Sequence, residues 1–151
     1  MRQILLKLGR ENKDIVVLDA DLSCSTKTKY FAKEFPERFF NIGIAEQNLI
    51  GFAAGLAASG KTAFTSTFAL FGTGRPWEQI RTTVAYCNLN VKIVCSHSGI
   101  TVGPDGATHQ CIEDIGIMRI IPNMRIIVPC DARETEKAVT YAANTYGPFY
   151  I

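Results

Sequence analysis

The chain lacks most of the features that would announce a simple role. Its two histidines, His97 and His109, stand twelve residues apart, and no CxxC pair accompanies them. Clustered ligands for a structural zinc are therefore missing. Five cysteines, Cys24, Cys87, Cys95, Cys111 and Cys130, make an odd count with no paired spacing. That pattern reads as reduced, mostly buried thiols in a cytosolic protein, not a disulfide framework. The formal net charge is only +2, and the basic residues form no run. This excludes an electrostatic grip on nucleic acid or a membrane surface. No apolar run approaches a membrane span. The opening "MRQILLKLGREN" holds no apolar stretch of signal-peptide length, so a cytoplasmic location is expected.

What is present is a globular composition, with 47% apolar and 20% charged residues over 151 positions. That length fits one ordinary domain. Short β-branched runs alternate with longer helical patterns. Strands are expected near "DIVVLDA" (14–20), "RFFNIG" (38–43), "KTAFTS" (61–66), "NVKIVCS" (90–96), "MRIIVP" (124–129) and "PFYI" (148–151). Helices are expected near 1–10, 27–34, 45–59, 75–87, 112–119 and 131–145. Pro76 suits a first helical turn, and Asp131 suits an N-cap or first-turn anion. The alternation predicts a three-layer α-β-α fold around a mostly parallel sheet of about six strands. Ligands in such folds bind beyond the carboxyl ends of the strands. The polar loops "DADLSCST", "GIAEQ", "TSTFALFGTG" and "SHSGITVGPDGATHQ" all follow strands. The chain stops within an apparent strand, "GPFYI", so further chain is expected beyond it.

The segment "NIGIAEQNLIGFAAGLAASGK" (41–61) has no charge between Glu46 and Lys61. Leu49, Ile50, Ala53 and Ala57 form one helical stripe, which Glu46 shares. Gly51, Ala54, Gly55 and Ala58 form another, suited to close packing. A first-turn carboxylate is ordinary by itself, because the helix dipole favours it. A helix apolar all round, however, is packed all round. Its leading carboxylate would be desolvated and able to hold a proton near neutral pH.

The loop "SHSGITVGPDGATHQ" concentrates both histidines, an aspartate, three glycines and a proline. A structureless loop of about fifteen residues in a compact domain is usually functional. Phe68 and Phe71 in "STFALFGTG" read, on residues alone, as core aromatics at a helix start. Asp19, Asp21, Ser23 and Ser25 in "DADLSCST" read as a turn held by polar side chains. A Cys–His nucleophilic pair using Cys95 or Cys111 is conceivable, but no orienting group or oxyanion loop stands beside it.

Taken in order, "FFNIGIAEQNLIGFAAGLAASGKTAFTSTFALF", "SHSGITVGPDGATHQCIEDIGIMRIIPNMRIIVPCDARE" and "GPFYI" resemble the pyrimidine-binding domain of transketolase. The likeness is closest to the C-terminal subunit of split transketolases, and it spans almost the whole chain. It implies a thiamine-diphosphate-binding fold and a pyrimidine-binding domain over 1–151. It also implies a thiamine-diphosphate-dependent transferase of carbohydrate metabolism, in the pentose phosphate pathway. Glu46 matches the glutamate that hydrogen-bonds the aminopyrimidine ring of the cofactor, where a raised pKa would let it supply a proton. Phe68 and Phe71 match aromatics around that ring, while the family's third aromatic falls at Gly74. Asp21 and Leu22 match residues near the thiazolium. His97, Asp105 and His109 match substrate-facing residues, with His97 and His109 as proton carriers. Ser25 matches a serine near the sugar-phosphate end, and "CDARE" a structural segment.

The resemblance also implies absences. "PDG" stands here without the GDG motif and following asparagines that hold the diphosphate and its Mg²⁺ or Ca²⁺. The diphosphate-binding and C-terminal domains are missing from this chain. The expectation is therefore half a cofactor site with no metal ligand, a diphosphate-binding partner subunit, and a contact between copies through the small-residue helix face. Related readings are 1-deoxyxylulose-5-phosphate synthase and the β subunit of a 2-oxoacid dehydrogenase. His97 favours transketolase over the synthase. A non-catalytic partner subunit is the reading from another class.

Overall fold

The computed structural model describes residues 2–151, Arg2 by its backbone alone. Met1, the first residue of the helix expected over 1–10, lies outside them. In chain order the elements are α1 (Arg2–Glu11), β1 (Ile15–Asp19), α2 (Ser23–Thr26), α3 (Lys29–Glu34), β2 (Phe39–Asn41), α4 (Glu46–Ala58), β3 (Thr62–Phe68) and α5 (Ala69–Gly74). Then follow α6 (Trp77–Gln79), a π-helical stretch (Ile80–Ala85), β4 (Val91–Ser96), α7 (Asp114–Arg119), β5 (Arg125–Ile126), α8 (Ala132–Ala143) and β6 (Phe149–Tyr150).

The six strands form one sheet in the order β2-β1-β3-β4-β6-β5. Every pairing is parallel. Parallel sheets are covered on both faces, so their strands read as continuous apolar runs. β1, "IVVLD", is buried at all five positions. Alternate side chains divide the core in two. Val16, Leu18, Ala63 and Ile93 pack with Leu49, Ile50, Ala53 and Ala57 of α4 and with Ile80, Val84 and Met118. Ile15, Val17, Phe64 and Val94 pack with Ile4, Leu5 and Leu8 of α1, with Phe31, and with Ala138, Val139 and Ala142 of α8.

Several expectations are corrected. The helix expected from 75 is preceded by α5, which begins directly after β3. Gly72 explains the tight fit there, since a Cβ on it would lie 2.6 Å from Cys95 Sγ and 2.8 Å from Thr67 Cγ2. In the stripe of α4 expected to meet another copy, one residue departs from the pattern. Gly51, Phe52, Gly55 and Ala58 are exposed, whereas Ala54 turns into the core. The thiols are not mostly buried either. Cys24, Cys87 and Cys130 are exposed, because they fall at short elements and loops, and Cys111 alone is buried outright. Asp131 does cap α8, its carboxylate accepting from Glu134 N at 2.8 Å. No described helix is long and apolar enough to cross a membrane.

At the end of the sheet away from the polar loops, Lys92 is buried in β4. Its Nζ donates to the carbonyls of Thr145 (2.8 Å) and Gly147 (2.6 Å) and lies 4.5 Å from the Phe149 ring centre. The lysine thereby fastens the connection from α8 to β6. Burial, aided by the nearby Arg125 cation, pushes its pKa down to about 7 from 10.5. Below about 7 the folded and unfolded chains both carry the proton; from there to 10.5 only the unfolded chain does. Stability then rises with pH across that window. In urea titrations the wild-type slope over this window should exceed that of Lys92→Met by up to about 1.4 kcal/mol per pH unit. Parallel curves for the two proteins would contradict this.

Candidate functional site

The carboxyl ends of β1 to β4 share one edge of the sheet, and their loops build two neighbouring cavities. The β1 loop is held from beneath by Asp19, which is fully buried. Its Oδ1 accepts from Leu22 N (2.6 Å), and its Oδ2 accepts from Thr26 Oγ1 (2.8 Å) and Thr28 Oγ1 (2.7 Å). Burial raises the Asp19 pKa, and the three donors oppose that rise. Next to it Asp21 adopts φ 63°, a left-handed conformation that aspartate tolerates better than most residues. Asn41 at the end of β2 reaches across. Its Oδ1 accepts from Asp21 N and Gly43 N, each at 3.1 Å, and its Nδ2 donates to Asp21 Oδ1 at 3.0 Å. The β1 and β2 loops are thus joined.

That junction delivers the chain to α4, whose first residue is Glu46. Glu46 is only 4% exposed because it shares the stripe of Leu49, Ile50, Ala53 and Ala57, which packs on the sheet. Its Oε1 accepts from Arg75 Nη1 at 2.7 Å. Its Oε2 accepts from no group among the described residues. Arg75 also covers Phe71, its guanidinium carbon 4.1 Å from the ring centre. This arginine was not singled out from the sequence, since nothing local ties position 75 to position 46.

Phe68 and Phe71 flank the turn from β3 into α5, their rings near-parallel with centres 6.1 Å apart. Phe68 is buried and Phe71 half-buried. The histidine loop is closed at its neck by a two-way bridge between Gly99 and Cys111 (Gly99 N to Cys111 O 2.6 Å, Cys111 N to Gly99 O 3.1 Å). Closure folds both imidazoles back over the aromatics. His97 lies 4.0 Å and His109 6.2 Å from the Phe68 ring centre, and His109 lies 5.2 Å from that of Phe71. Each Nδ1 is engaged by a neighbouring hydroxyl, Ser96 Oγ at 2.7 Å and Thr108 Oγ1 at 3.0 Å. The Nε2 atoms make no hydrogen bond among the described residues.

A cavity of about 370 Å³ is lined by Asp21, Leu22, Ile44, Glu46, Phe71, Arg75 and His109, with Ala20 and Thr108. A second, of about 340 Å³, holds Ser25 and His97 with Ser96, Ser98, Asp114 and Tyr150. Phe68, in ring contact with both histidines, lines neither cavity. Asp105 sits on the exposed turn closed by Gly106 N and Gly103 O at 3.2 Å, and it lines neither cavity. Burial pushes the Cys95 and Cys111 thiols up, away from the thiolate that a nucleophile needs. Among the described residues no group of three His, Cys, Asp or Glu is placed to hold a metal ion.

The family described as "Transketolase, pyrimidine binding domain" matches residues 1–151. A putative transketolase C-terminal section from Methanocaldococcus jannaschii is 58% identical over 99% of this chain and 47% of its own length. A 6-deoxy-6-sulfo-D-fructose transketolase subunit from a Clostridium species is 43% identical over 98% of this chain and 46% of its own. Among solved structures, a split-gene transketolase described as an inactive β4 tetramer superposes with a TM-score of 0.87. Its identity is 57%, over 99% of this chain and 48% of that one. The chain thus spans about half the length of these relatives.

The Asp19 knot carries a direct test. Asp19→Ala strips one buried hydroxyl pair and a backbone amide of their acceptor, at about 1–3 kcal/mol for a group left unpaired. A total loss of roughly 2–4 kcal/mol in urea denaturation is expected. A loss below about 0.5 kcal/mol, the range of ordinary surface changes, would show that the knot is not needed.

Proposed function

Because the chain belongs to the transketolase pyrimidine-binding domain family, we propose that it is the pyrimidine-binding part of an enzyme moving a two-carbon ketol unit between sugar phosphates. The observation that carries this reading is Glu46. It is a nearly fully buried carboxylate leading an apolar helix, with one oxygen uncommitted, in a cavity walled by Phe71, Leu22 and His109. The members of this family use thiamine diphosphate. These residues fit its heterocyclic half: an acceptor for a ring nitrogen, flat aromatic surface, and an apolar wall.

When bound, that cofactor supplies an electron sink for making and breaking carbon–carbon bonds beside a carbonyl. This chain orients it. Glu46 holds a hydrogen bond, and the proton within it, at a nitrogen of the aminopyrimidine. Phe68 and Phe71 set the plane of that ring, and Asp21 and Leu22 close the side toward the thiazolium. His97 and His109 turn Nε2 toward substrate hydroxyls, since Nδ1 of each is already engaged. Ser25 reaches the phosphate end of the sugar through the second cavity, and Asp105 approaches the donor hydroxyl from the loop turn. The diphosphate and its Mg²⁺ or Ca²⁺ are held by a partner subunit, so turnover requires that subunit. The exposed face of α4 is where a further copy packs. The donor sugar is an open variable, as the relative acting on 6-deoxy-6-sulfo-D-fructose illustrates.

The test is an assay of the full protein with a diphosphate-binding partner, thiamine diphosphate, Mg²⁺, and a panel of ketose donors and aldose phosphates. Turnover is expected only with the partner. Glu46→Gln should keep the fold and lose about 10²–10⁴-fold in rate. Near-normal turnover in that variant would sink the assignment.

A further inference from the structure

Arg75 is tied to the start of α4 twice and to the aromatic wall once. Its Nη1 donates to Glu46 Oε1 at 2.7 Å, and its carbonyl accepts from Gln47 Nε2 at 3.3 Å. Its guanidinium lies over Phe71, 4.1 Å from the ring centre. The neighbouring position does not share this work. Gly74 has no side chain, and a Cβ built there would meet nothing within 4 Å. Arg75, not position 74, is the neighbour that covers Phe71.

The two partners of the ion pair differ in setting. The Glu46 side chain is 4% exposed and that of Arg75 is 48% exposed, so the cation reaches in from the rim to a carboxylate that water barely touches. An ordinary surface pair contributes little. A directed bond from a guanidinium to a desolvated carboxylate is stronger, and it restrains the oxygen that accepts it. With Oε1 taken, rotation of the carboxylate is restrained and Oε2 is left as its acceptor.

We infer that Arg75 is a positioning residue that acts through Glu46, holding one carboxylate oxygen so that the other meets a heteroaromatic base seated against Phe71. The role calls for arginine. A planar guanidinium stacks on the ring and donates along a fixed direction, whereas a lysine supplies a point charge on a flexible stem. The inference rests on the cofactor reading above.

The experiment is a double-mutant cycle read by calorimetric affinity for thiamine diphosphate with Mg²⁺. It uses the full protein with its partner subunit and compares wild type, Arg75→Met, Arg75→Lys, Glu46→Gln and the Glu46→Gln/Arg75→Met pair. Melting curves establish that each variant is folded. Arg75→Met should weaken binding about tenfold, and Arg75→Lys should restore part of that. In the Glu46→Gln background the same Arg75→Met change should cost less than about twofold, because the group Arg75 positions is gone. General attraction of a cation for the diphosphate persists in both backgrounds and cancels in the cycle.

Wild-type affinity in Arg75→Met overturns the inference, and so does an equal loss with and without the Glu46 carboxylate. Complete rescue by lysine overturns the requirement for a planar, stacked group. A wild-type assembly that binds no thiamine diphosphate overturns the reading of the site, and the inference with it. Binding by wild type together with an unaltered Arg75→Met overturns the inference alone.

Discussion

A sheet in which all six strands run the same way leaves every carboxyl end on one edge, and the site depends on that constraint. Each strand must be followed by a connection that leaves from this edge and returns along a face. Asp21, Glu46, Phe68 and His97 each stand at or just beyond the end of β1, β2, β3 or β4, so residues far apart in the chain meet in a few ångströms. The constraint also accounts for the buried carboxylate. The stripe that seats α4 on the sheet begins at Glu46, so packing the helix removes its first side chain from water.

A buried carboxylate needs partners, and a lone cation at the rim provides one of them. The remainder of the site follows the same economy of polar groups. Asp19 is saturated by three donors and serves the β1 turn, leaving Asp21 and Leu22 to face the cavity. Asp114 does similar work beneath the histidine loop, accepting from Ser98 Oγ at 2.7 Å and Tyr150 Oη at 2.5 Å. Among the described residues both imidazoles are held on one nitrogen only. Both bonds to Asp114 fall on Oδ2, in the second cavity, whereas Glu46 lines the cavity with Phe71 and His109 and its Oε2 accepts from no group among the described residues.

Much of this was legible in the sequence, and the exceptions have physical causes. Apolar runs between polar loops marked all six strands; β1 and β3, buried at every position, leave the continuous apolar record of a parallel strand covered on both faces, while β2 and β5 at the sheet edges are only partly buried. The Glu46 stripe was legible because helical periodicity links residues three and four apart. The run "ALFGTG" read as a helix start around its aromatics but was given no helix of its own before 75, since Gly72 and Gly74 are poor helix formers and Gly72 packs tightly against Cys95 and Thr67. The π-helical stretch has no local signature. "MRIIVP" looked like a six-residue strand, yet only Arg125 and Ile126 are paired as strand, since β6 alone borders it. Arg75 escaped notice because its link to Glu46 spans 29 positions. The exposed cysteines, and Ala54 turning inward, reflect details of tertiary placement that composition does not carry.

The central claim is that Glu46 Oε2 is the oxygen that meets the ring nitrogen of an aminopyrimidine lying against Phe71. The most direct measurement is a crystal structure of the full protein with its partner subunit and thiamine diphosphate. The account predicts a ring nitrogen within about 2.6–3.2 Å of that oxygen, with Arg75 still on Oε1. A pyrimidine ring bound elsewhere, or one contacted by Arg75 with Glu46 turned away, would contradict it.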